Sequence, residues 1–286
     1  MNLTLQDILL NDSRQLIAAL GLDVVSARIE VQCLLQAVLN VNRAHVIAYP
    51  EKQLEFDQQA RYSALLERRL NGEPVAYILG EREFYGLKFK VTTATLIPRP
   101  ETELLVERAL SCIPREGGIR VLDLGTGSGA IALSIAHVRP DVKVVAIDTS
   151  EDALEVAMNN MQNFNLRNVQ FLRSDWFSGL KNERFDLIVS NPPYVAEGDA
   201  HVEQGDLRFE PRSALTSGKD GLVDISRIIA EAPAHLIQGG SLMFEHGYDQ
   251  AKKVRELLHQ ARFEKIFTDH DLSGIERTSG GVWHGH

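Results

Sequence analysis

The chain is poor in the residues that would tie a small fold together covalently or through metal. It has only two cysteines, Cys33 and Cys112, and neither belongs to a Cys-x-x-Cys pair. That excludes a disulfide framework and a cysteine zinc site, and it suits a reducing compartment, so a cytoplasmic protein is expected. The nine histidines lack His-x-x-x-His or comparable ligand spacing, so no metal is expected. No apolar run is long enough to span a bilayer. The start, Met1-Asn2-Leu3-Thr4-Leu5-Gln6-Asp7, lacks the basic stretch and apolar core of a secretory leader. No membrane partner is therefore expected. Positive charge is also in deficit: 30 Lys and Arg face 39 Asp and Glu, a net charge of −9. That argues against a broad phosphate-tracking surface, and no direct contact with nucleic acid is expected. Internal repeats and low-complexity tracts are absent.

What is present is ordinary for a globular chain, 44% hydrophobic and 24% charged over 286 residues. That length suits one large domain and a small one. Residues 1–74 read as helices only. Leu5, Ile8, Leu9, Leu16, Ile17 and Leu20 fall at helical spacing, with Thr4 and Asp7 placed to cap the start and Gly21 to end it. Ser26 and Asp57 are candidate caps for later helices, and Asn71-Gly72 with Pro74 ends the last. Residues 75–95 change period around Gly86 and predict a β-hairpin linker. Residues 96–286 form the larger domain. From Ile119 strands and helices alternate, the mark of a parallel sheet covered on both faces. Expected strands are 119–124, 143–147, 169–172, 185–190 and 241–245, with edge pieces near 263–267 and 281–283. Residues 198–220 read as a long polar loop over the active edge.

The most unusual stretch is Ser190-Asn191-Pro192-Pro193-Tyr194, which ends the apolar run Phe185–Val189. Two prolines cannot continue a central strand, so the chain turns out of the sheet at Asn191. That edge is where open α/β sheets bind ligands. Asn191 offers a side-chain carbonyl, Pro192 a backbone carbonyl, and Tyr194 a flat face with a polar tip. Two acceptors beside an aromatic face suit a planar group carrying an NH2, such as a carboxamide or an exocyclic base amine. A bare Asn-Pro would be explained by a rigid turn alone; the four residues together, in this place, favour function.

A second motif, Asp123-Leu124-Gly125-Thr126-Gly127-Ser128-Gly129-Ala130, follows the first strand and opens a helix. Its glycines allow a tight turn and close approach of a ligand. Asp148, at the end of the next strand about 20 residues on, is placed to accept from two ribose hydroxyls. Gly125-x-Gly127-x-x-Ala130 also fits the loose dinucleotide fingerprint, which leaves an NAD-linked oxidoreductase as an alternative. Asp175-Trp176, after the third strand, suits an adenine pocket: the carboxylate accepts from the amine and the indole packs on the purine. Simple core packing would explain Trp176 equally well. The Asn-Pro-Pro-Tyr turn decides for methyl transfer, since hydride transfer has no use for two acceptors aimed at an NH2.

With these motifs the chain resembles the protein-glutamine methyltransferases that modify class 1 peptide chain release factors, the PrmC/HemK family. The resemblance covers nearly the whole chain. It is carried by the helical N-terminal segment, Leu96-Ile-Pro-Arg-Pro-Glu-Thr-Glu103, Asp123 to Gly129, Ser174-Asp-Trp-Phe177, Ser190 to Tyr194 and Phe209-Glu-Pro211. It implies an α/β, Rossmann-like, seven-stranded S-adenosylmethionine-dependent methyltransferase domain whose last strand is antiparallel. A small all-helical N-terminal domain that docks the substrate and a linking β-hairpin precede it. The resemblance further implies that Gly125, Thr126, Gly127, Ser128, Gly129, Asp148, Trp176 and Asn191 bind S-adenosyl-L-methionine, which leaves as S-adenosyl-L-homocysteine; Asp123 and Asp175 join that set from their places in the two motifs that follow the strands. Asn191, Pro192, Pro193 and Tyr194 would hold the glutamine, with Asn191, Pro192 and Tyr194 catalytic. The expected partner is a class 1 release factor and the expected state a monomer. A relative acting on a large-subunit ribosomal protein, and an adenine methyltransferase acting on DNA or RNA, are the runners-up. The latter would normally bring a target-recognition domain and a basic surface.

Overall fold

A computed structural model describes residues 3–115 and 117–285. The outer limits of the expected domains, residues 1 and 286, thus lie outside the described residues. The chain forms two compact units, Met1–Glu81 with Glu203–Phe209, and Arg82–Val202 with Glu210–His286.

The first unit is helical: α1 (Leu5–Leu20), α2 (Val24–Leu39), α3 (Arg43–Ala48), α4 (Phe56–Leu70) and α5 (Val75–Leu79). Thr4 and Asp7 make a capping box at the start of α1, and Gly21 ends the helix in the left-handed region at φ 68°. Two expected caps are corrected. Asp23, not Ser26, caps α2, because its carboxylate accepts from both the Val25 and Ser26 amides. Glu55, not Asp57, precedes α4 and pairs reciprocally with Gln58. Residues 75–79, expected in the hairpin, are helical. Pro74 supplies φ −57° just before the first turn and Gly80 stops the helix at φ 72°. An apolar run this short does not by itself separate helix from strand; here burial of Ile78 beside Leu35 and Tyr62 decides it. Leu5, Ile8 and Leu16 of α1 and Val31, Leu34 and Leu35 of α2 fill the rest of this core. Each such side chain contributes about 1.5–3 kcal/mol on burial.

Residues 203–209 belong to this helical unit although they lie far along the chain. Arg69, 3% exposed, explains how they are held. Its Nε and Nη2 donate to Glu30 at 2.7 and 3.1 Å. Its Nη1 donates to the Gly72 and Glu73 carbonyls, both at 3.1 Å, and to Asp206 Oδ1 at 3.0 Å. A buried guanidinium left without such partners would be costly, so the helix end and the segment are fixed together.

The boundary falls in the antiparallel hairpin β1 (Glu81–Phe84) and β2 (Leu87–Lys90), all of which but Glu81 belongs to the second unit, and α6 (Glu103–Cys112) follows. There follow β3 (Arg120–Leu124), α7 (Ala130–Val138), β4 (Lys143–Asp148), α8 (Glu151–Asn163), β5 (Val169–Arg173) and β6 (Phe185–Ser190). The unit closes with α9 (Val223–His235), β7 (Leu236–Glu245), α10 (Ala251–Gln260), β8 (Glu264–His270) and β9 (Glu276–Trp283). The seven strands run in the order β5-β4-β3-β6-β7-β9-β8, parallel except for β9, which pairs antiparallel with both β7 and β8. Alternate residues of the central strands face opposite layers. Leu122, Leu124 and Ile188 pack with Ile225 and Ile228 of α9 and Val254 of α10. Val121, Leu187 and Val189 pack with Leu105 of α6, Leu133 of α7, and Phe84 and Phe89 of the hairpin. The strand order reverses between β3 and β6, which opens a crevice at their carboxyl ends.

Candidate active site

Four strand ends meet at that crevice. β3 gives the loop 125–129, β4 gives Asp148, β5 gives Ser174-Asp175-Trp176, and β6 gives Asn191. Leu124 and Ser190 are register partners, and the Ser190 hydroxyl donates to the Leu124 carbonyl at 2.8 Å. The roots of the glycine loop and of the proline turn are thereby fixed to each other. A cavity of about 270 Å³ lies above them. Gly125, Thr126, Gly127, Ser128, Asp148, Trp176, Asn191 and Pro193 all line it.

The loop is shaped by its own chemistry. Gly125, Gly127 and Gly129 all have positive φ, at 71°, 55° and 86°. A Cβ on Gly129 would stand 2.8 Å from Leu133 Cδ1 and 3.3 Å from the Ala157 Cβ, so a side chain there would push α7 from α8. Gly127 N–H donates to Asp148 Oδ2 and Ser150 N–H to Asp148 Oδ1, both at 2.9 Å. The Trp176 ring passes within 3.6 Å of where a Gly125 Cβ would be, and its Nε1 donates to Asp224 Oδ1 at 3.1 Å. Asn160 of α8 donates to the Ser128 carbonyl at 2.9 Å while bonding both polar groups of the Lys90 backbone, which anchors the loop to the hairpin.

Asp123 supports the loop from beneath. It is fully buried, and its Oδ2 accepts from the Thr126 hydroxyl at 2.7 Å and the Ala132 amide at 3.2 Å. Oδ1 has no partner among the described residues. Burial pushes this carboxyl up to about 7, against the pull of those two donors, and nearby Asp148 adds to the rise. An acid whose pKa is higher folded than unfolded is favoured protonated in the fold. Stability of the ligand-free protein should therefore fall as pH rises from about 4 to about 7, where this carboxyl ionises in the fold. The loss is on the order of a few kcal/mol. Denaturant unfolding at both pH values checks it: Asp123→Asn should flatten the decline, and equal declines in both proteins would show that Asp123 does not titrate there.

On the opposite wall, residues 93–96, Pro98, Arg99 and Thr102 line the cavity ahead of α6. Their course is set by Glu210, buried to 4%. Its carboxylate accepts the Ile97 amide at 3.0 Å and pairs with the Arg99 guanidinium. Arg99, between Pro98 and Pro100, thus has its partner in the Phe209-Glu210-Pro211 stretch. Asn191 Nδ2 donates to Thr102 Oγ1 at 3.1 Å, Thr102 Oγ1 donates to Glu245 Oε2 at 2.6 Å, and the Tyr194 hydroxyl donates to Glu245 Oε1 at 3.0 Å. Glu245, the last residue of β7, is 1% exposed. Burial pushes its carboxyl up, while the Thr102 and Tyr194 hydroxyls and Arg277 hold it down and Glu101 opposes them. Burial and the Glu245 charge together raise the Tyr194 phenol, so it stays protonated at neutral pH and donates.

Several expected site residues lie away from the cavity lining. Asp123 and Gly129 are beneath it. The Asp175 carboxylate turns outward to Arg227 of α9, at 2.9 and 3.1 Å, and its neighbours Ser174 and Trp176 face the cavity instead. Pro192 and Tyr194 are not among the lining residues, and the Tyr194 hydroxyl is directed at Glu245. Sequence reasoning singled out neither Thr102 nor Glu245. The signal for Glu245 was a lone acid closing an apolar strand, Leu242-Met243-Phe244, at the ligand edge.

Comparison with known proteins agrees with this architecture. Residues 101–210 match the family model described as methyltransferase small domain, and residues 9–80 the PrmC N-terminal domain. The chain is 46% identical over 260 residues to a protein named release factor glutamine methyltransferase from Shewanella oneidensis, covering 91% of each chain. A protein of the same name from Bordetella pertussis is 50% identical over 255 residues, covering 89% of this chain and 94% of that one. Among solved structures, a methyltransferase from Pyrococcus furiosus shares the fold, with TM-score 0.54, 21% identity, and 78% and 100% of the two chains covered. Identity at this level over this length places the two motifs, the helical unit and the sheet in one lineage: the chain belongs to the release factor glutamine methyltransferase family.

Proposed function

We propose that this protein methylates the side-chain amide nitrogen of the glutamine in the Gly-Gly-Gln motif of class 1 release factors, as a cytoplasmic monomer using S-adenosylmethionine. The observation that carries the reading is that Asn191 lines the same cavity as Gly125–Ser128 and Asp148. The cavity suits the cofactor. Gly125 and Gly127 leave backbone accessible, Asp148 offers a carboxylate at the rim, and Trp176 offers an aromatic face. S-adenosylmethionine supplies an electrophilic methyl group and leaves as S-adenosylhomocysteine.

The protein's task is then to present a poor nucleophile. An amide nitrogen has its lone pair delocalised into the carbonyl. The Asn191 side-chain oxygen and the Pro192 carbonyl would each accept one N–H, orienting the nitrogen and stabilising positive charge that develops on it during attack. Fixing the amide against the methyl group contributes further through proximity. No strong base is required, because the nitrogen becomes acidic as the new N–C bond forms. Incubating the protein with S-adenosylmethionine and purified release factor should add one methyl group to the Gly-Gly-Gln glutamine, read by fragmentation mass spectrometry. Transfer to adenine in DNA or RNA, or to a ribosomal protein, with none to release factor, would overturn the assignment.

A further inference from the structure

We propose that Glu245, acting through the Thr102 hydroxyl, fixes which end of the Asn191 amide faces the cavity, and so is a positioning residue for methyl transfer. The inference rests on the reading of the substrate as a primary carboxamide.

The argument is one of hydrogen-bond direction. An asparagine amide has one accepting and one donating end of nearly the same shape, and only the accepting end is useful to an incoming NH2. An ionised carboxylate can only accept, and the Thr102 and Tyr194 hydroxyls with Arg277 favour that form of Glu245 against its burial. Both Glu245 oxygens are engaged by hydroxyls, Thr102 Oγ1 at 2.6 Å and Tyr194 at 3.0 Å. The Thr102 proton is thus committed to Glu245, which leaves its oxygen to accept. The group facing that oxygen, 3.1 Å away, is Asn191 Nδ2. With the NH2 end held there, the carbonyl end of Asn191 is set toward the cavity that Asn191 lines. Three residues from distant parts of the chain thereby set one polarity: Thr102 ahead of α6, Asn191 after β6 and Glu245 at the end of β7.

A purely structural account of Glu245 is weaker. A buried carboxylate is expensive, and apolar packing of similar volume often serves stability as well or better. What an apolar group or an amide does not supply is an acceptor-only partner. A glutamine at 245 could donate to Thr102, which would free the Thr102 proton for the Asn191 oxygen and turn the amide round.

The test compares Thr102→Val, Thr102→Ser and Glu245→Gln with wild type on purified release factor, following kcat, KM, affinity for S-adenosylmethionine and thermal unfolding. Thr102→Val should lower kcat about tenfold or more, with cofactor affinity within about twofold of wild type. Thr102→Ser, which keeps the hydroxyl, should restore most of the loss. In an Asn191→Ala background, Thr102→Val should cost less than about twofold, because the group it orients is gone. Glu245→Gln is held to the same criteria and replaces Thr102→Val if that variant does not fold. A folded Thr102→Val at wild-type kcat, a loss confined to cofactor affinity, or an undiminished loss in the Asn191→Ala background would each overturn the proposal. If the wild-type protein leaves release factor unmodified, the functional reading fails and takes this inference with it. If wild type is active, Asn191→Ala slow and Thr102→Val fast, only the inference fails.

Discussion

Asn191→Ala should lower kcat on release factor by about a hundredfold or more while the protein stays folded and still binds S-adenosylmethionine. Losing one oriented partner for charge that grows in the transition state has an effect of that order. The side chain is half-buried at the cavity rim and makes its hydrogen bond to Thr102, so its removal leaves no charge unpaired. Melting temperature should accordingly move little. Asn191→Asp should fail as well. A carboxylate has no N–H for Thr102 Oγ1, and it sets a negative charge near Glu245, whose pKa burial already raises. Steady-state rates with melting curves decide the matter. An Asn191→Ala enzyme near wild-type turnover would reduce the turn to a structural device.

Full-length release factor should be methylated at least about a hundredfold faster, in kcat/KM, than a short Gly-Gly-Gln peptide. The local site asks only for an accessible carboxamide. Selectivity must come from binding energy gathered away from the reacting atoms. Two glycines beside the glutamine allow the substrate chain to enter a narrow cavity without side-chain collisions. A second grip is expected from the helical unit. Val24, Val25, Ile47 and Phe56 of this unit are 69%, 66%, 53% and 88% exposed. Covering one such side chain is worth about 1.5–3 kcal/mol. Val25→Glu with Phe56→Glu should therefore raise KM for release factor about tenfold or more and leave the rate on peptide unchanged. Equal kcat/KM on peptide and protein would remove the docking role.

The legible parts of this protein were those whose chemistry is local. The glycine loop, Asp148 and the Asn-Pro-Pro-Tyr turn each sit within a few residues of an apolar strand, and the strand fixes where they must project. β6 was placed at its observed limits because two prolines end it. What stayed hidden depends on partners far apart in the chain. Thr102 and Glu245 are 143 residues apart, and Ile97 and Glu210 are 113 apart. Only the tertiary register brings them together. The pairing of Asp175 with Arg227 of α9 was hidden for the same reason. The helix caps were misplaced where two capping side chains stand within three residues of each other, as Asp23 and Ser26 do, since either satisfies the pattern and the backbone selects one.

The Arg69–Asp206 pair spans 137 residues, and this bears on the order of events during synthesis. A chain leaves the ribosome from its amino end, and domains generally fold as they emerge. The helical unit emerges first, yet it cannot be finished when residue 81 is made. Its last piece, residues 203–209, appears only after β3, β4, β5 and β6 have been translated. Until then Glu30 is the one acid among the described residues that pairs with Arg69. A nascent chain stalled anywhere between residues 90 and 200 should therefore carry a helical unit that opens more readily than the one in the completed protein.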